Sequence, residues 1–151
     1  MKRICFVCYG NICRSTMAEF VFKDMVKKRG YEHEFIIESK GTSSEELGND
    51  TYYLTKEKLA ENNIAFTKRK ATKLKKEDYD DFDYFIGMDM MNVSSMNELF
   101  VQDKEQKVFR FLDITDKKRD IADPWYTRNF EQTYQDILYG CDQLFSWIQK
   151  K

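Results

Sequence analysis

The 151-residue chain has a single histidine and a single proline. The histidine, His33, lies in "GYEHEF", a stretch that reads as a surface loop. A histidine-activated cysteine protease needs its base beside the nucleophile, so that chemistry finds no natural partner here. Long apolar runs are missing as well. None approaches the roughly 18 residues that span a bilayer. Neither sign of charge is in excess, with 25 Lys+Arg against 26 Asp+Glu and a formal net charge of -1. Bulk charge therefore gives no basis for nucleic-acid or membrane binding. The opening "MKRICFVCYG" is basic. Its apolar run is too short for a secretory signal, and no small-residue cleavage site follows, so the expected location is the cytoplasm. Repeats, low-complexity tracts and linkers are also absent.

Cysteine is scarce and unevenly placed. Cys5, Cys8 and Cys13 crowd the start, and Cys141 lies far away. A secreted domain would spread its cysteines as staples, so reduced thiols are expected. The spacing C-x2-C-x4-C invites a metal reading. Against it, Cys5 and Cys8 fall on an apolar strand, where positions three apart point to opposite faces. A redox pair at Cys5 and Cys8 fits no better, because such pairs open a helix whereas "CFVC" closes a strand. Neither a metal nor a cofactor is expected.

What is present is an ordinary globular composition, 42% hydrophobic and 34% charged. One domain spanning 1–151 is long enough to bury a core. "RICFV" reads as a buried strand, and Ala18, Val21, Phe22, Met25 and Val26 then recur at helical spacing until Gly30. "EFIIES", "FDYFIGM" and "KVFRFL" read as further strands. "TYYLTKEKLAENN" is a helix, and Asp89 is placed to cap another that ends at Phe100. Phe130, Tyr134, Ile137, Leu138, Cys141, Leu144, Phe145 and Ile148 form one long amphipathic stripe, read as core packing. Strands alternating with helices imply an α/β domain with a mostly parallel sheet. Ligands of such sheets bind beyond the carboxyl ends of the strands.

The stretch "CYGNICRST", residues 8–16, falls at such an end. A strand-to-helix turn aims backbone N–H groups and a helix dipole at one point, which attracts an oxyanion. Gly10 offers dihedrals closed to other residues and Asn11 tolerates left-handed ones. Arg14 brings a planar fork suited to two phosphate oxygens. Cys8 lies at the bottom of the cradle, where a helix N-terminus and a cation favour a thiolate. Ser15 is placed to hydrogen-bond that thiolate. C-x5-R alone is a weak signal, and a cysteine at a strand end is usually inert packing. The glycine, asparagine, serine, strand and helix around it favour the functional reading. Expelling an alcohol or phenol from phosphate also needs a proton donor. "IADPWY" offers Asp123, held extended by Pro124, with Trp125 and Tyr126 able to wall an aromatic pocket. Read alone, this segment is more simply an Asp-Pro turn with its aromatics folded into the core.

Together the two motifs resemble the low-molecular-weight protein-tyrosine phosphatase family. "VCYGNICRS" and "DPWY" stand in that family's order and spacing, and "SKGTS", "KLKKEDYDDFDYFIGMD" and the C-terminal helix match too. The resemblance covers nearly the whole chain. It implies a doubly wound, four-stranded parallel sheet flanked by helices, and a metal-independent phosphatase acting through a phosphocysteine. By position it makes Cys8 the nucleophile, Arg14 the phosphate clamp and Asp123 the general acid. Tyr9, Gly10, Asn11, Ile12, Cys13 and Ser15 then bind phosphate or substrate, with Trp125 and Tyr126 on the ring. Asn11, Ser15 and Ser39 hold the loop in shape. The implied substrates are phosphotyrosine proteins or small aryl phosphates, with no nucleic acid, no membrane and a monomeric chain. Four positions depart from the pattern: Thr16 replaces a proline, Arg69 stands about where a loop-supporting histidine is common, Glu45 takes the place of a rim aromatic, and Trp125 replaces a tyrosine. Arsenate reductases share the Cys-x5-Arg loop but need further cysteines near residues 80–90, where this chain has none. Cys13 has two readings: a thiol able to trap an oxidised Cys8 as a disulfide, or plain packing under the loop.

Overall fold

In a computed structural model describing residues 1–151, the first strand is the buried axis of the protein. β1 (Lys2–Cys8) has its last five residues buried. It lies between β2 (Phe35–Gly41) and β3 (Tyr84–Gly87), and β4 (Val108–Arg110) completes the sheet in the order β2-β1-β3-β4. All three pairings are parallel. Burial on both faces explains why β1 reads as a continuous apolar run rather than an alternating one. The chain winds outward in one direction from β1 to β2 and in the other from β1 to β3 and β4. The crevice at the carboxyl end of β1 is therefore the switch point where ligands bind in doubly wound sheets. Cys8, paired with Gly41, is the last residue of β1.

Helices α1 (Arg14–Lys28) and α5 (Phe130–Gln149) cover one face. There Ile4, Phe6 and Cys8 join Met17, Phe22, Ile137, Cys141 and Leu144 in the larger core. On the other face Cys5 and Val7 meet Phe85, and Met96 and Phe100 of α3 (Met90–Phe100). Cys5 and Cys8 thus point into different layers, as their spacing requires. Phe6 packs against Phe22 at 5.9 Å and Phe111 at 5.3 Å between ring centroids. Truncating a ring so enclosed costs about 3–5 kcal/mol. α2 (Tyr53–Glu61) and the single turn α4 (Pro124–Thr127) complete the helices.

Several elements are shorter than the residue patterns suggest, whereas β1 and β2 run on to Cys8 and Gly41, past "RICFV" and "EFIIES". β4 ends at Arg110, and Phe111–Ile114 form a 3-10 turn instead of prolonging the strand. That turn carries Phe111 into the core, where Gly140 leaves room for its ring: a Cβ on Gly140 would come within 2.9 Å of it. β3 loses Phe82 and Asp83 because Asp83 instead accepts the Arg3 N–H at 2.8 Å. α2 stops at Glu61, and Asn63 follows with a left-handed φ of 58°. Asp89 caps α3 as expected, accepting the Asn92 N–H at 2.8 Å. No helix is long and apolar enough to cross a membrane.

Candidate active site

Residues 8–14 curl from the end of β1 into α1. The turn is made by Asn11, whose φ is 61°. Gly10 does not adopt a positive φ, so the left-handed conformation expected of it belongs to Asn11 alone. What Gly10 contributes is space, since a Cβ there would lie 3.3 Å from Cγ of Glu46. The strained Asn11 is fastened on every side. Its N–H donates to Cys8 Sγ at 3.3 Å. Its Nδ2 donates to Ser15 Oγ at 2.8 Å and Ser39 Oγ at 3.0 Å. Its Oδ1 accepts the Thr72 N–H at 3.0 Å and Arg69 Nη2 at 2.9 Å. Arg69 Nη1 also reaches the Asn11 carbonyl at 3.0 Å. Arg69 therefore supports the loop directly from its position near the expected histidine. Behind it, Ser39 donates to the buried carboxylate of Glu19 at 2.6 Å.

Cys8 Sγ lies 3.0 Å from Ser15 Oγ and is buried beneath the curl. No side chain caps α1, so its first-turn N–H groups remain available to an anion. Gly41 lets β2 press against this turn. A Cβ there would lie 2.8 Å from the Tyr9 carbonyl and 3.1 Å from Asn11 Cβ.

Arg14 is almost wholly buried, a costly state for a charge unless it is paired. Its Nη1 donates to Asp89 at 2.8 Å and to the Ile121 carbonyl at 2.7 Å, and its Nη2 reaches Asp123 Oδ2 at 3.5 Å. Burial opposes the charge, but the facing Cys8, Asp123 and Asp89 outweigh it and hold the guanidinium pKa above its ordinary value. Asp123 is extended, as its proline requires, and caps α4 by accepting the Trp125 N–H at 3.0 Å. Its two oxygens are thus fixed, one on the backbone and one toward Arg14.

A cavity of about 120 Å³ opens over these groups, lined by Cys8, Tyr9, Gly10, Ile12, Cys13, Arg14, Asp123, Trp125 and Tyr126 together with Glu45 and Glu46. Asn11, Ser15 and Ser39 are fully or almost fully buried behind it. Trp125 and Tyr126 stay exposed at 45% and 81%, which disposes of the reading that they fold into the core. Glu45 does not stand free at the rim. It accepts the Tyr9 hydroxyl at 2.9 Å, and that bond pushes the Tyr9 phenol above its ordinary pKa. Burial, and then the charges of Cys8 and Asp123, push the Cys13 thiol up to about 12.

A family model described as low molecular weight phosphotyrosine protein phosphatase matches residues 3–151. The chain belongs to this phosphatase family. It is 39% identical to the low molecular weight protein-tyrosine-phosphatase YfkJ of Bacillus subtilis, covering 100% of this chain and 98% of that one. It is 37% identical to PtpA of Staphylococcus aureus, covering 99% and 96%. The crystal structure of YfkJ superposes with a TM-score of 0.96 over 99% of this chain and 96% of that one. SP-PTP of Streptococcus pyogenes, 38% identical, gives 0.87 over 97% and 92%. Reading the sequence of this phosphatase-family chain missed three groups around the cradle. The sequence pattern marks Asp89 only as a helix cap. Its place just beyond β3, the strand beside β1 at the switch point, is the signal that it also reaches Arg14. Glu19 sits one turn into α1 and carries no motif signal. The Ile121 carbonyl is invisible to side-chain patterns.

Proposed function

We propose that this protein hydrolyses phosphotyrosine and aryl phosphate monoesters, with Cys8 as nucleophile, Arg14 as phosphate clamp and Asp123 as general acid. One observation carries the assignment: the Cys8 sulfur, held by Ser15 Oγ and the Asn11 N–H, lies under a cavity that the Arg14 guanidinium and the Asp123 carboxylate also line.

The phosphoryl group enters the curl, its oxygens facing the fork of Arg14 and the N–H groups of the turn. Cys8 attacks phosphorus, forming the S–P bond as the P–O bond to the leaving group breaks. Asp123 gives its proton to the departing oxygen. Now a carboxylate, it takes a proton from water as that water attacks phosphorus. The S–P bond breaks, phosphate leaves, and Ser15 stabilises the returning thiolate. Charge on the equatorial oxygens is met throughout by fixed donors that need no reorganisation. Arg14 and the turn supply that stabilisation without a metal, so the reaction is proposed to be metal-independent. A cytoplasmic, monomeric protein acting apart from nucleic acids and membranes completes the proposal.

Release of p-nitrophenol from its phosphate, measured with chelator present, tests the reading. Wild-type protein should turn over, and Cys8→Ser should not, while still binding phosphate or vanadate. Residual activity above a few per cent in Cys8→Ser removes the covalent mechanism.

A further inference from the structure

The cavity mouth is acidic, but its shoulder is basic. Glu45 and Glu46 line the mouth. Residues 65–75 pass beside them without regular secondary structure, joined to the sheet by one bridge between Lys73 and Gly41. The Ala71 N–H donates to the Asn49 carbonyl at 2.7 Å, and the Ala71 carbonyl accepts the Gly48 N–H at 3.0 Å. This ribbon is therefore fastened to the same loop that carries Glu45 and Glu46.

Arg69 turns inward and spends its guanidinium on Asn11 and Ser39. Lys68 and Lys70 on either side of it are exposed. Leu74 is buried, and Lys73 and Lys75 beside it are exposed, as is Lys76. None of these five lysines makes an ion pair. By contrast, Lys23, Lys28, Lys56 and Lys58 each hold a carboxylate within 3 Å. Of the acids next along the chain, Glu77 is exposed and pairs with none of the five lysines, and Asp78 is already engaged with the Lys75 N–H and with Lys40. Five unpaired cations over nine consecutive residues concentrate positive potential on one flank of a chain whose net charge is -1.

We propose that the lysine ribbon docks an acidic segment of a protein substrate whose phosphotyrosine occupies the cavity. This rests on the phosphatase reading above. Seven residues separate Lys68 from Lys75, a reach of at most about 23 Å at about 3.3 Å per extended residue, the scale of a short peptide. The order of charge is specified too. Acids immediately beside the phosphotyrosine would meet Glu45 and Glu46, so the favoured acids lie several residues away. A flat anionic membrane fits less well, because the loop bearing the mouth carboxylates would be pressed against it.

The test compares two phosphotyrosine peptides, identical except for a distal tail of glutamates or of glutamines. Wild-type protein should favour the glutamate tail in kcat/KM by about tenfold at low salt. The preference should fade toward parity near 1 M salt, where the screening length falls to about 3 Å. The triple variant Lys68→Gln, Lys70→Gln, Lys73→Gln should lose it while turning over p-nitrophenyl phosphate normally. Equal use of both tails, or a preference that survives in the variant, overturns the proposal. So does a variant that also loses p-nitrophenyl phosphate turnover, because the ribbon would then support the cavity rather than the substrate. Binding of both peptides to Cys8→Ser protein, read by fluorescence anisotropy, judges docking even if the phosphatase reading fails. Binding of that protein to phosphatidylserine vesicles, with no tail preference, overturns the proposal in favour of a membrane surface.

Discussion

Asp89 grips Arg14 with one carboxylate oxygen and caps α3 with the other. The two tasks separate chemically, since asparagine caps helices as well as aspartate does but carries no charge. Asp89→Asn should lose some stability, because it keeps the cap but withdraws the nearest counter-charge from the buried Arg14. It should tighten competitive inhibition by inorganic phosphate, because one negative charge has left the clamp. Asp89→Ala should lose about 1 kcal/mol of stability beyond that. Unfolding curves and phosphate inhibition constants check both halves, and equal stability of the two variants would sink the capping role.

Arg69 holds Asn11 with a planar fork that a lysine ammonium cannot reproduce. Arg69→Lys should lose about 1–3 kcal/mol of stability, the usual range for hydrogen bonds to a charged group. It should also raise KM for p-nitrophenyl phosphate, since the curl around phosphate loosens. A wild-type KM in this variant would show that the curl holds without the fork.

Arg128 ties the segment of Asp123, the proposed proton donor, to the cradle. Itself left-handed at φ 59°, it donates to the Tyr52 hydroxyl at 3.0 Å and to the Trp125 carbonyl at 3.3 Å. Tyr52 in turn donates its N–H to the Ile12 carbonyl at 2.9 Å. Arg128→Ala should free Trp125 and blur the aim of Asp123. The loss of kcat should be larger for phenyl phosphate than for p-nitrophenyl phosphate, because the poorer leaving group depends more on protonation. An equal loss for both esters would confine Arg128 to a structural role.

The Gly140–Phe111 contact yields a stability prediction. Gly140→Ala places a methyl group within 2.9 Å of the Phe111 ring. Overpacking of this kind costs about 1–3 kcal/mol. Chemical denaturation should show the loss, and Phe111→Leu combined with it should recover part.

Asp50 carries a pH prediction. Its hydrogen bond from Lys56, aided by the Arg69 and Thr51 N–H groups, holds its carboxyl below the ordinary value. A depressed folded-state pKa contributes stability that is present above the unfolded value of about 3.9 and is lost as pH falls through the folded one. The stability gap between wild type and Asp50→Asn should therefore stay flat from neutral pH down to about 5 and close below about 4. A gap that persists under acid would contradict the assignment.

The turn carrying Cys8 and the segment carrying Asp123 were legible because the residues that mark them are local. Cys8, Arg14 and Ser15 sit in one turn between a strand and a helix, and Asp123 stands beside the only proline. β1 and α5 were legible for the same reason, each carrying its full pattern in consecutive residues. The end of β4 was not, because "FRFL" has strand character and only Gly140, 29 residues on from Phe111, makes room for that ring to leave the sheet. Nor was the Tyr9–Glu45 bond, which joins residues 36 apart. Asn11 rather than Gly10 bears the left-handed turn because Ser15, Ser39, Arg69 and Thr72 all converge on its amide, and glycine offers nothing for them to hold.

Burial has also sorted the four thiols by reactivity. Cys5 and Cys141 are pushed well above the ordinary value by desolvation, and Cys13 to about 12. At neutral pH these three are protonated, and Cys5 and Cys141 are shielded as well, so an alkylating reagent or a thiol-seeking electrophile finds little purchase on them. Whatever covalent chemistry such a reagent achieves on the folded protein is steered toward the sulfur beneath the cavity. A single-site probe, or an inhibitor warhead of modest reactivity, needs no further discrimination than the packing already provides.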